Sequence, residues 1–118
     1  MSESRVERLR GERFPRLPEP PEWVQDPERV FWETTVRDYA VEGPALAMLE
    51  VACSAMQRLR ESRAVLDREG LVVEGRYAGT SRPHPLVAVE RDARVQLLRA
   101  LRELDLDGEP LPAPRVRR

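Results

Sequence analysis

The sequence predicts a mainly α fold: an N-terminal helix, then a long helical hairpin with a short β-ribbon at its tip, in a chain that completes its core by standing beside copies of itself. Three observations predict it. Two long segments, 44–69 and 85–104, repeat apolar residues at three- and four-residue spacing. Between them, residues 71–83 replace that spacing with valines, glycines and a tyrosine. The foldable stretch, residues 27–107, is too short for a large core, and its aromatic supply in or near that stretch is limited to Trp23, Phe31, Trp32, Tyr39 and Tyr77.

In order along the chain, residues 1–26 read as a charged arm, partly disordered, with four prolines between positions 14 and 21. Asp26-Pro27-Glu28 is a helix start, with a capping acid and then proline in the first turn. The first helix is expected over 27–40, its apolar side formed by Phe31, Trp32, Val36 and Tyr39. Gly43-Pro44 restarts the chain, and the second helix is expected over 44–69 with Gly70 as its stop.

Two seams run along that second helix. One is Leu46, Leu49, Cys53 and Met56; the other is Ala45, Met48, Ala52, Ala55, Leu59, Ser62 and Leu66. The second is rich in small residues and has the spacing of interlocking helices. Two seams imply packing on two sides, one against the hairpin partner and one against a neighbouring subunit. The alternative is a single broad core stripe in a monomer.

Leu71-Val72-Val73 and Gly75-Arg76-Tyr77 read as two short strands, with Gly75 and Gly79 as bends. Such a hairpin is not stable alone. His84-Pro85 opens the third helix, because proline suits its first position and forces the preceding residue extended. Leu86, Val89, Ala93, Leu97, Ala100 and Leu104 form its stripe, which Leu98 and Leu101 widen, and Gly108 and Pro110 end it. Residues 108–118 are a Pro/Arg-rich tail.

All 20 basic residues are arginine, against 21 acids and a net charge of −1. The charges are segregated. Residues 19–50 hold eight acids and two arginines, a net of −6; residues 51–104 hold ten arginines and seven acids, a net of +3. Opposite faces of this kind suit head-to-tail association, although solvated helix faces also carry such charges. The lone Cys53 excludes an internal disulfide and a cysteine zinc cluster. No apolar signal segment opens the chain and no run has the length of a membrane span, so a soluble, intracellular protein is expected.

No catalytic constellation is visible. His84 is the only histidine, expected to cap the third helix or bond the ribbon, and Cys53 reads as a buried inert thiol. No glycine-rich phosphate loop and no metal-ligand set occurs, so no cofactor and no metal are expected. What remains is arginine. Arg5, Arg8, Arg10 and Arg13 in the arm and Arg58, Arg60 and Arg63 on the second helix are candidate phosphate contacts, which would give affinity without reading sequence. The plain alternative is a solvated face with pairs such as Arg58 to Glu61 and Arg63 to Asp67. Met48, Leu49, Ala52, Met56, Leu59 and Tyr77 are the candidate interface between subunits.

The order of these parts resembles the small terminase subunit of tailed double-stranded-DNA phages and prophages. The likeness is carried by Gly70 ahead of the ribbon, His84-Pro85 opening the last helix, and the leucine-rich run from Leu101 through Leu104 to Leu106. It implies a non-enzymatic factor that assembles as a homo-oligomeric ring in the host-cell cytoplasm. The ring would bind viral double-stranded DNA and present it to the large subunit, an ATPase and nuclease whose activity it modulates. The C-terminal tail would be the docking segment for that motor. No helix-turn-helix is evident near the N-terminus, and the sequence leaves open whether DNA would be read specifically. The competing reading is a helical adaptor that oligomerises and binds a protein without nucleic acid.

Overall fold

The computed structural model describes residues 16–39 and 41–106. They form α1 (Asp26–Asp38), α2 (Pro44–Glu69), β1 (Val72–Glu74), β2 (Ser81–Pro83) and α3 (Pro85–Leu104) in that order. The mainly helical architecture expected from the sequence is therefore present: one helix, then a hairpin of two long helices with a two-stranded antiparallel ribbon at its tip.

Helix α1 starts one residue earlier than expected and ends at Asp38; Ala40, the expected end, lies outside the described residues. Asp26 is not its cap. Gln25 occupies that position in extended backbone, without a side-chain cap, and its N–H donates instead to Gln57 Oε1 of α2 at 2.6 Å. The start of α1 is thus satisfied by the helix it packs on.

Trp32 and Val36 of α1 join Val24, Val41, Leu49 and Cys53 in one buried cluster, rimmed by Phe31, Tyr39, Ala45, Leu46 and Leu104. Trp32 Nε1 donates to the Pro18 carbonyl at 2.9 Å, which ties the proline-rich residues 16–21 across α1. With Val24 3% exposed, the packed unit begins ahead of position 27. The rest of the expected arm, residues 1–15, the last position of the expected helical domain, 107, and the tail, 108–118, lie outside the described residues.

Both seams of α2 are present, but the reading that one of them waits for another subunit is corrected. The first, through Leu49 and Cys53, is covered by α1 and Val24. On the second, Ala52, Ala55, Ser62 and Leu66 are buried, as are Ala93 and Ala100 of α3; these small side chains let the two long helices pack closely over their length. The chain's own elements occupy both sides.

The ribbon also differs from expectation. Its second strand is Ser81–Pro83, not residues 75–77, in the register Val72↔Pro83, Val73↔Arg82, Glu74↔Ser81. Residues 75–80 make the turn, closed by Gly75 N–H to the Thr80 carbonyl at 2.9 Å and by Thr80 donating back to the Tyr77 carbonyl. Gly79 takes a positive φ of 78°, which turns the chain there and leaves Tyr77 at the tip. Gly75 is needed for space, because a Cβ there would collide with the Thr80 side chain.

Helix α3 begins at Pro85 as expected and stops at Asp105, whose left-handed φ of 51° ends it before Gly108 is reached. Ala93 and Ala100 are buried, while Leu86, Val89, Leu97, Leu101 and Leu104 are half-buried. Leu98 does not widen that stripe. It lies about 140° around the helix from Ala93 at 3.6 residues per turn, and it is 59% exposed.

Candidate assembly and nucleic-acid interface

Four of the seven arginines expected to meet phosphate, Arg5, Arg8, Arg10 and Arg13, lie outside the described residues. The other three do not form one patch. Arg58 and Arg63 are exposed and make no hydrogen bond or ion pair among the described residues. They stand five positions apart, about 140° around α2. Neither forms the intrahelical pair with Glu61 or Asp67 that a solvated face would offer.

Arg60, exposed along its outer side, is engaged within the chain. Its guanidinium donates to both carboxylate oxygens of Glu28, at 2.8 and 3.2 Å, and to Gln25 Oε1. Glu28 is 2% exposed, so Arg60 balances a carboxylate held inside the α1–α2 contact. The hydrogen bonds with Glu28 hold Arg60 protonated even more firmly than an ordinary guanidinium. Sequence reading missed this pair because its partners are 32 positions apart.

The expected subunit contacts divide in the same way. Leu49 and Ala52 have no exposed surface, so they belong to the core of the single chain and cannot meet a neighbour. Burying a leucine such as Leu49 stabilises the fold by about 1.5–3 kcal/mol. Met48, Met56 and Leu59 are half-buried, and Tyr77 is 70% exposed at the ribbon tip.

Met48 leads to a surface that the seams did not reveal. It borders an open groove of about 760 Å³ between the first turns of α2 and the last turns of α3. Trp23, Ala47, Val51 and Ala100 supply apolar lining, and Glu50, Arg99 and Glu103 stand along it. Trp23 and Val51 are 47% and 41% exposed. Helical spacing could have found this third flank, since Ala47, Val51, Ser54 and Arg58 follow one another at three- and four-residue steps. At the other end of the hairpin, Arg76, Arg82 and Glu74 border a shallow hollow beside Tyr77.

The remaining chemistry is sparse. Cys53 is buried, its thiol pushed up to about 12 chiefly by burial and then by the charges of Glu28 and Glu50. Among the described residues, no cluster of three or more His, Cys, Asp or Glu could hold a metal ion, and no helix is long and apolar enough to cross a membrane.

A family model described as phage terminase, small subunit, matches residues 32–110. That span takes in the second half of α1, the whole hairpin and the ribbon. No curated protein and no solved structure matches the chain.

Proposed function

This chain belongs to the phage terminase small-subunit family, and from that premise we propose that it is a non-enzymatic packaging factor that works as a ring of identical subunits. A role in phage genome packaging follows from the membership. The finer reading is that the ring binds viral double-stranded DNA and presents it to the large ATPase/nuclease subunit in the host-cell cytoplasm, modulating that enzyme. The Pro/Arg-rich tail, residues 108–118, would dock the motor.

The observation that carries assembly is the groove between α2 and α3: exposed apolar lining, bordered by charge, that the described chain does not cover. Met48 lies in it; Met56, Leu59 and Tyr77 are further proposed contacts. For DNA, Arg58 and Arg63 offer unpaired guanidinium groups on different flanks, and Arg5, Arg8, Arg10 and Arg13 add cations from the arm. A few phosphate contacts per subunit are weak, but copies arrayed on one duplex bind together. The dispersal of Arg58 and Arg63, with Arg60 already engaged, is what favours the second reading, a protein-binding adaptor without nucleic acid.

Fluorescence anisotropy of labelled duplex DNA, titrated across salt, separates the two. Phosphate-driven binding weakens steeply with salt, and the paired substitution Arg58→Ala, Arg63→Ala lowers affinity and flattens that dependence. Absence of binding at low salt would leave the adaptor reading standing.

A further inference from the structure

A second exposed apolar patch lies on the same molecule. Val95 and Leu98, one turn apart on α3, are 41% and 59% exposed. They form an apolar ridge flanked by the exposed Arg91 and Arg102. Arg91 reaches Asp92 at 3.6 Å, while Arg102 makes no side-chain hydrogen bond or ion pair among the described residues. Helical geometry puts the ridge on the flank of α3 beside the groove: Gln96, Ala100 and Glu103 stand about 80–160° around the helix from Val95 and Leu98, and Arg99, about 40° from Val95, marks the border between the two. A chain therefore cannot seat its own ridge in its own groove.

We infer that the ridge of one copy, Val95 and Leu98 of α3, docks in the α2–α3 groove of the next, over Val51, Ala47 and Met48. The inference deepens the ring reading and rests on it. Apolar side chains meet apolar lining. The arginines beside the ridge meet Glu50 and Glu103 along the groove, where Arg99 offsets one of the two negative charges. Because the two surfaces differ, the contact is head-to-tail, leaving a docked pair with one free ridge at one end and one free groove at the other. A repeat of that kind closes into a ring when its rotation closes.

The test uses two single substitutions in the full chain. Val51→Arg fills the groove with a cation and Leu98→Glu puts a carboxylate on the ridge; both sites are exposed, and circular dichroism melts check that each variant folds. Each variant alone is expected to be monomeric at concentrations where the unsubstituted chain assembles, with self-association weakened by about tenfold or more. Mixed in equal amounts, they are expected to form a dimer and stop, because each retains the surface the other lacks.

A second pair guards against misfolding. Glu50→Arg should weaken assembly, and adding Arg102→Glu in the same chain should restore it. Assembly of either variant alone at unsubstituted strength, or a mixture with no dimer, overturns the docking while leaving the ring reading in place. An unsubstituted chain that never assembles removes both.

Discussion

His84 Nε2 lies 3.3 Å from Glu69 Oε1, joining the residue that precedes α3 to the last residue of α2 beneath the ribbon. The other ring nitrogen fixes the proton. Leu86 N–H donates to Nδ1 at 3.0 Å, so Nδ1 accepts, and the ring hydrogen sits on Nε2, pointing at the carboxylate. One buried imidazole therefore caps α3 and ties the two arms of the hairpin at the point where the chain reverses.

Substituting His84→Ala removes both contacts. The loss of the cap costs about 1 kcal/mol, which lowers the Tm of a domain this small by roughly 4–8 °C. His84→Asn, which retains a capping oxygen, is expected to fall between the two. Thermal melts by circular dichroism measure the series; equal melts for all three proteins would contradict the capping role.

Glu69 makes acid sensitivity a second test. The hydrogen bond from His84, followed by that from Arg68, holds its carboxyl below the ordinary 4.5. A carboxyl lowered in the folded state contributes stability above its unfolded value and loses it as pH falls through the lowered one. The melting temperature is therefore expected to drop on acidification from about pH 6 to about pH 3, and to drop less in Glu69→Gln. An identical acid profile for the two proteins would show that this carboxylate contributes nothing.

Cys53 has the opposite sign. Burial, with the charges of Glu28 and Glu50, keeps its thiol protonated to about pH 12 against an ordinary 9.0. Its contribution is complete below the unfolded value and is lost as pH rises beyond it. In the native chain at mildly alkaline pH, a thiol reagent is expected to label Cys53 only as fast as the protein opens, and immediately once denaturant is added. Rapid stoichiometric labelling of the folded chain would place the thiol at the surface.

The arginines of α2 are expected to separate by role. Arg60→Ala frees the buried Glu28 and loosens α1, so it should lower the melting temperature. Arg58→Ala and Arg63→Ala should leave the melt unchanged and weaken DNA binding. Melts and anisotropy on the same three proteins decide this; a destabilising Arg58→Ala or a thermally silent Arg60→Ala would reverse the assignment.

Most of the helical frame was legible in the sequence, because local chemistry set it. Pro44 and Gly70 delimit α2, and His84-Pro85 starts α3 where proline allows it. The ribbon was half legible. Arg76 and Tyr77 read as a strand, but the turn depends on the positive φ of Gly79 and on Thr80 closing onto Tyr77, and Pro83 disguised the strand that follows.

What a single segment does not encode was misplaced. Arg60 looked like its neighbours until α1 brought Glu28 against it. Leu49 and Ala52 looked available for a partner because nothing local says that α1 and α3 cover them. Leu98 has the apolarity of the core stripe, but its angle around α3 turns it outward. The sequence pattern marked which residues are apolar; the tertiary arrangement decided which of them remain uncovered.

The flank around Met48 and Val51 is either closed by another copy of the chain or left to solvent. Static light scattering after size exclusion, on the full-length protein at micromolar concentration, measures this directly. One discrete particle is expected, its mass a whole-number multiple of 13.6 kDa larger than two. A mass of 13.6 kDa that persists at every concentration would contradict it.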